Sequence, residues 1–502
     1  MPLQFINSII SWFLKKRKHQ IELFLKYPTD VQDELLIKLI STAKHTEFGK
    51  AKDFSSIQSY TDFTNNVPIQ KYETIEPLIE RCRKGEQNLF WPSKIKWFAK
   101  SSGTTNAKSK FIPVSDEALE GCHFKAGKDM LCLYINNNED ARLFTGKGLR
   151  LGGSSAIYED NDTYFGDLSA IIIENMPFWA DYSSAPKQEV ALMGEWETKM
   201  DAIIEETINE NITSLAGVPS WMLVLLNRVL EKTGKKHILE VWPNLEVYFH
   251  GGVNFKPYKE QYKKLIPRSD FKYYETYNAS EGFFAIQDRN NSDELLLMLD
   301  YGIFYEFILM NSYDGENSEA VPLSEVKKGI NYAVVITTNG GLWRYLIGDT
   351  VKFTSTAPYR IKITGRTKHH INVFGEELII ENAEEALKSA CEKTKAVIKD
   401  YTVGPVFMNG RDKGAHEWII EFQKAPENVH FFTEMLDNAL KNCNSDYEAK
   451  RYNNITLNIP IVREAREGLF YDWLKYKGKL GGQHKVPRLS NKRDFIEELN
   501  IL

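Results

Sequence analysis

The sequence predicts an α/β protein with a large amino-terminal domain and a smaller carboxy-terminal one. Three observations carry this reading. Short apolar runs alternate with helical patterns between Thr213 and Tyr277, the texture of a sheet with crossover helices. From Tyr332 the runs are β-rich and separated by turn residues. Beyond the joint at Gly365-Arg366-Thr367-Lys368 a compact mixture of helices and strands ends in a basic tail, which divides the chain into 1–365 and 366–502.

The first hundred residues read as helices and connectors. Asp30 is placed to cap a helix whose apolar positions Val31, Leu35, Leu36 and Leu39 follow helical spacing. Ser115, followed by Asp116 and Glu117, opens another that runs towards Leu133. Thr213 to Gly217 is a short buried strand, and Pro219 and Ser220 start a helix through Leu230 that stops near Gly234. Leu245 to Phe249 alternates as a strand ending in His250-Gly251-Gly252, and Phe271 to Tyr277 is another. Tyr332 to Thr338 is a strand, Asn339-Gly340-Gly341 a turn, and Leu342 to Leu346 the return, with Val351 to Phe353 and Arg360 to Thr364 following. In the small domain, helices at 381–393, 430–440 and 469–476 accompany strands at 398–403 and 418–422. Gly146 to Gly153 superficially resembles a nucleotide loop but lacks the G-x-G-x-x-G spacing, so it reads as a strand connection.

Composition excludes several classes. The 502 residues are 42% hydrophobic and 26% charged, which suits a folded soluble chain and rules out a mostly disordered one. Lys+Arg number 63 and Asp+Glu 68, a net charge of −5, so a general nucleic-acid partner is not expected. The longest apolar run, Leu215 to Leu226, is interrupted by Gly217, Pro219 and Ser220 and falls short of the ~20 residues of a membrane span. Phe5 to Leu14 precedes its basic run, Lys15 to Lys18, whereas a secretory signal has charge first. That segment reads as an amphipathic surface helix, with a membrane-surface anchor as the sharper alternative. Five cysteines without a C-x-x-C pair read as reduced thiols of a cytoplasmic protein. His369 and His370 would face opposite ways on a strand, a poor basis for a shared metal.

Five segments carry residue types suited to chemistry. Ser101-Ser102-Gly103-Thr104-Thr105 with Lys108 and Lys110 offers hydroxyls, a close backbone approach and positive charge to phosphates; alone it also reads as a mobile polar loop. Gly251-Gly252 leaves space for a flat base, on which Tyr277 can stack, next to Asn278, Ser280 and Glu281. Glu281 suits Mg²⁺ held jointly with phosphate oxygens, its plain alternative being a surface charge. Asp349, after a strand and a glycine, can accept both hydroxyls of a ribose or be a turn aspartate. The fourth segment is Gly365 to Glu377, and the fifth is the glycine-flanked tail with Lys479 and Lys485.

In their order and spacing these segments resemble the adenylate-forming superfamily of acyl-CoA synthetases, adenylation domains and firefly luciferase. The nearer resemblance is to the Gretchen Hagen family of acyl acid–amido synthetases, carried by Phe111-Ile112-Pro113 after the polar loop, Ala216-Gly217-Val218-Pro219-Ser220-Trp221, and Asn278-Ala279-Ser280-Glu281. The shorter chain suggests a bacterial-type member. The resemblance implies that superfamily's fold: a large domain of β-sheets and a β-barrel, and a small α+β domain that swings about Arg366 to Lys368. It implies ATP and Mg²⁺ as cofactors, and a small carboxylic acid and an amine or amino acid as partners. Glu281 would hold the metal, and Ser280 would face the α-phosphate. Asp349 and Arg366 would fix the ribose, and Lys485, or else Lys479, would neutralise developing charge. An acyl-CoA ligase and a non-catalytic nucleotide-binding module are the alternatives. Asn106, where the superfamily often has a second glycine, and Lys368, where many members have aspartate, depart from the pattern.

Overall fold

The alternating half of the sequence forms the parallel half of one twelve-stranded sheet. A computed structural model describes residues 3–501 except 102–109, 153–156, 161, 254, 256–257, 314–317, 368–369, 409–412, 453–455 and 478–485. The strands of this sheet are β1 (Lys147–Leu151), β2 (Ser184–Ala185), β3 (Ile212–Gly217), β4 (Val247–Gly251), β5 (Lys272–Ala279) and β6 (Gly282–Ile286). The remainder are β7 (Leu295–Leu297), β8 (Ile303–Leu309), β9 (Ala320–Pro322), β10 (Asn331–Thr338), β11 (Tyr345–Thr356) and β12 (Tyr359–Arg366). Their order across the sheet is β9-β8-β10-β11-β12-β7-β6-β5-β4-β3-β1-β2. Pairing is parallel from β2 to β5 and antiparallel from β5 to β9. The antiparallel strands therefore continue the sheet that the parallel strands begin.

Local chemistry explains the elements that lead to the site. Pro219 lies in the first turn of α1 (Pro219–Thr233), where its missing N–H costs nothing, and Gly234 ends the helix at φ +65°. The crossover from β4 to β5 carries α2 (Lys259–Leu265). Ser115 accepts from the Ala118 N–H at 3.0 Å and so caps the expected helix, which proceeds through a π-helical turn, Leu119–Phe124, to Asn137.

Two expectations are corrected. Asp30 does not cap its helix; it lies inside the first turn of Pro28–Ala43, whose N-cap is Tyr27 and whose start is set by Pro28. Lys147 to Leu151, read as part of a connection, is β1, paired in parallel with both β2 and β3. Arg17, from the basic run, pairs its guanidinium with Asp129 at 2.7 Å and Asp300 at 2.8 Å, anchoring helix Leu3–Lys26. All five cysteines are free thiols, four of them buried.

After β12 come α3 (Ile380–Thr394) and α4 (Val429–Cys443), packed beside a three-stranded sheet of β13 (Val397–Val406), β14 (Ala415–Lys424) and β15 (Ile461–Glu464). One apolar cluster underlies the antiparallel strands and the early helices. A second runs without a break from Met222, Leu226 and Tyr262 to Phe374, Trp418 and Leu436, so apolar burial joins the residues before Arg366 to those after it.

The start of β11 is held by charge. Arg344, at φ +43°, donates to Glu306 at 2.8 Å; they are 5% and 0% exposed, and the Tyr60 hydroxyl also donates to Glu306 at 2.9 Å. Removing one partner leaves a buried, unpaired ion. Glu306→Gln should therefore cost about 3–5 kcal/mol in urea unfolding, and a loss below about 1 kcal/mol, typical of an exposed pair, would contradict this reading.

Candidate functional site

A cleft of about 1700 Å³ lies along the ends of β4 and β5, the neighbouring β11 and β12, and Thr367, Asn372, Val373, Glu377 and Ile379. That volume exceeds an ordinary small-molecule pocket and accommodates a nucleotide with a second ligand.

The ends of the polar loop reach the cleft through a hairpin. Strands Trp97–Ser101 and Lys110–Val114 pair antiparallel with Ser101 opposite Lys110, and both residues line the cleft. The segment they bracket holds Ser102, Gly103, Thr104, Thr105 and Lys108, which lie outside the described residues. Lys110 sits with its ammonium 3.5 Å from the Tyr345 hydroxyl and 5.4 Å from the Tyr72 ring. Burial lowers its pKa, while the nearby Glu281 carboxylate pulls the other way. Glu281 occupies the turn between β5 and β6, and burial pushes its pKa up to about 7 against the opposing effect of Lys110. Asn278 and Ser280 line the cleft beside it.

Asp349 is the best-tied group. Its Oδ2 accepts from the Tyr277 hydroxyl at 2.8 Å and its Oδ1 from Arg366 Nε at 2.9 Å. The guanidinium of Arg366 also meets both oxygens of Glu377 at 3.4 Å. Burial alone would lower the Arg366 pKa, but Glu377 and Asp349 more than offset it and the pKa is raised. The chain Tyr277–Asp349–Arg366–Glu377 thus alternates neutral donor, anion, cation and anion, with every charge partnered.

Tyr277 differs from its expected stacking role. The side chain is 5% exposed, the ring packs 4.8 Å from Phe284, and the hydroxyl is used on Asp349. Gly252, at φ +82°, lines the cleft, whereas Gly251 is required by β5: a Cβ there would lie 2.6 Å from the Thr276 carbonyl oxygen. Lys368, Lys479 and Lys485 lie outside the described residues. Lys110, read in the sequence as one of the loop's two lysines, lines the cleft. Tyr345, whose hydroxyl it approaches, looks in the sequence like any core aromatic of a strand.

The donor set suits a hard cation. Glu281 presents carboxylate oxygens to the cleft, and among the described residues no group of three or more His, Cys, Asp or Glu gathers there or elsewhere. One carboxylate with phosphate oxygens and water is how Mg²⁺ is commonly held, so Glu281 fits that ion as a partner of a bound phosphate.

Comparison with known proteins fits this geometry. Models of the GH3 family match over almost the whole chain: the N-terminal domain at residues 17–271, the central domain at 296–366 and the C-terminal domain at 381–494. The chain belongs to the GH3 family. It is 21% identical to indole-3-acetic acid-amido synthetase GH3.3 of Arabidopsis thaliana, covering 94% of this chain and 91% of that one. It is 23% identical to the 4-substituted benzoates-glutamate ligase GH3.12 of the same plant, covering 91% and 92%. Among solved structures, the GH3.15 acyl acid amido synthetase superposes with TM-score 0.59 at 17% identity, covering 94% and 93%. A 2-hydroxyisobutyryl-CoA ligase superposes with TM-score 0.56 at 13% identity, covering 100% and 92%, and shares the fold.

Tyr277→Phe isolates one link of the network. It removes a hydrogen bond to a carboxylate without opening a cavity, an interaction worth about 1.5–3 kcal/mol. ATP binding measured by calorimetry should weaken about ten-fold, with the fold unchanged, and an unaltered affinity would remove Tyr277 from the site.

Proposed function

We propose that this GH3 protein is an ATP-dependent acyl acid–amido synthetase that adenylates a small carboxylic acid and passes the acyl group to an amine, an amino acid in the reading favoured here. The observation that carries this is the convergence of Glu281, Lys110 and the Asp349–Arg366 pair on one cleft, in a chain whose full-length relatives include named amido synthetases.

A carboxylate oxygen attacks the α-phosphorus of ATP, the bond to pyrophosphate breaks, and an acyl-adenylate forms. The amine nitrogen then attacks the carbonyl carbon, the bond to the AMP oxygen breaks, and the nitrogen loses a proton. The protein's part in the first half is positioning and charge neutralisation. Asp349 would accept from the ribose hydroxyls with the lone pairs that Tyr277 and Arg366 leave open. The Lys110 ammonium would face phosphate oxygens, as would Ser101, Ser102, Thr104, Thr105 and Lys108. Ser280 would donate at the α-phosphate. Glu281 would hold Mg²⁺, which supplies charge neutralisation to the polyphosphate when bound. Lys485, with Lys479 as the alternative, would act at the attacking carboxylate. Residues 1–365 would carry the nucleotide and 366–502 act as a lid. No described helix is long and apolar enough to cross a membrane, and the proposed location is the cytoplasm.

A second reading rests on the rim. Lys259, Lys263 and Lys492 are exposed and line the cleft, Lys263 paired with Glu260 at 2.7 Å, and such cations would also suit the phosphates of CoA as a thiol acceptor. Acid-dependent ATP–pyrophosphate exchange across a panel of carboxylic acids tests the first half. Adding amino acids or CoA to the accepted acid decides the second, amide product being expected. Exclusive thioester product would favour the alternative reading, and no exchange with any acid would leave a nucleotide-binding module.

Glu281→Gln should abolish exchange, falling at least about 100-fold by analogy with deleting one preorganised electrostatic group, while near-UV circular dichroism stays that of the wild type. Undiminished exchange at saturating Mg²⁺ would contradict the metal-holding role.

A further inference from the structure

The segment Asn372 to Glu377 forms one wall of the cleft, and its conformation is held from inside the small domain by a buried pair. Glu376 accepts from the Phe374 N–H at 2.6 Å and the Val373 N–H at 3.3 Å. His416, on β14, meets the same carboxylate through Nε2 at 2.8 Å, and both side chains are 0% exposed. The other ring nitrogen, Nδ1, is buried without a hydrogen-bond partner among the described residues. With its hydrogen on Nε2 the ring donates to Glu376. On the opposite side, the Val373 carbonyl accepts from the Tyr258 hydroxyl at 2.6 Å. Phe374 lies so close over Gly414 that a Cβ there would meet its ring at 2.3 Å.

The wall ends at Glu377, whose carboxylate faces the Arg366 guanidinium, which in turn holds Asp349. The route from His416 to Asp349 is therefore short: His416 meets Glu376, which holds the 373–374 amides, the backbone runs on to Glu377, and Glu377 meets Arg366, which meets Asp349. Nothing in the proposed chemistry uses His416 or Glu376, yet a buried carboxylate needs such partners to persist.

We propose that His416 is a positioning residue of the site: through Glu376 it fixes the Asn372–Glu377 wall and so sets Glu377 against Arg366. This rests on reading Asp349 and Arg366 as the nucleotide-holding pair. His416 touches no ligand, and its effect on the site passes through Glu377. His416→Gln keeps an N–H within reach of Glu376; His416→Leu keeps bulk and loses the donor.

The test is a double-mutant cycle read by ATP dissociation constants from calorimetry, with each His416 variant made in the wild type and in Glu377→Gln. His416→Leu should weaken ATP about ten-fold in the wild type, within the range for coupled neighbours, and by less than about two-fold in Glu377→Gln, while His416→Gln stays close to its parent. Equal losses in both backgrounds would overturn the proposal, because they would place the effect in general stability. So would a His416→Gln as poor as His416→Leu, or a Glu377→Gln that binds ATP like the wild type. If His416→Leu does not fold, Glu376→Gln enters the same cycle, losing the anion while keeping a carbonyl oxygen for the loop amides. Failure of the wild type to exchange pyrophosphate with any acid strikes the proposed activity alone, since the ATP cycle still judges His416.

Discussion

The antiparallel register of β11 and β12 sets Asp349 directly across from Arg366, and the site depends on that pairing. A carboxylate at this depth needs compensation. It receives it from Arg366 on one oxygen and Tyr277 of β5 on the other. A hairpin, β11 and β12, and a strand distant in the chain, β5, are thereby fixed to one charged group. The glycines before each partner serve the same end: Gly348 at φ +88° and Gly365 at φ +146° take backbone conformations that side chains resist.

The same pairing explains how the small domain meets the large one. Arg366 is the last residue of β12, and its guanidinium has Asp349 before it and Glu377 beyond it. Around this polar link the apolar cluster containing Tyr262, Phe374 and Trp418 is continuous. Hydroxyls of the large domain reach the wall segment as well, Tyr258 on the Val373 carbonyl and Ser220 on the Phe374 carbonyl at 3.4 Å. In the arrangement described, the cleft is closed on one side by residues that follow Arg366. Any motion of the small domain would exchange these specific bonds for water, which singles out few contacts as determinants of its position.

Much of this was legible in the sequence where the signal is local. The helix from Pro219 to Thr233 announces itself through a proline at its start and a glycine just past its end. Asp349 was legible because a glycine-aspartate step follows an apolar strand pattern, and Glu281 because it closes a strand-turn segment with Asn278 and Ser280. Other features were hidden by distance or by composition. Lys147 to Leu151 alternates charged and apolar residues between glycines, so β1 carries the marks of a connection although it pairs on both edges. The partners of Arg17, Asp129 and Asp300, lie 112 and 283 positions away in the sequence. Tyr277 looked like a stacking platform because its hydroxyl partner lies 72 positions on. His416 gives no sequence signal at all, since its partner Glu376 stands 40 positions earlier and neither belongs to a recognisable pattern.

The central claim is that the substrate carboxylate attacks the α-phosphorus of ATP within this cleft. Isotope transfer reads that bond directly. An accepted acid labelled with ¹⁸O in its carboxylate is turned over to completion with ATP and the amine, and the AMP, pyrophosphate and any inorganic phosphate are analysed by mass spectrometry. Attack at the α-phosphorus followed by aminolysis predicts one labelled oxygen in AMP and none in pyrophosphate. Label in inorganic phosphate with formation of ADP would mean attack at the γ-phosphorus, and would contradict the account.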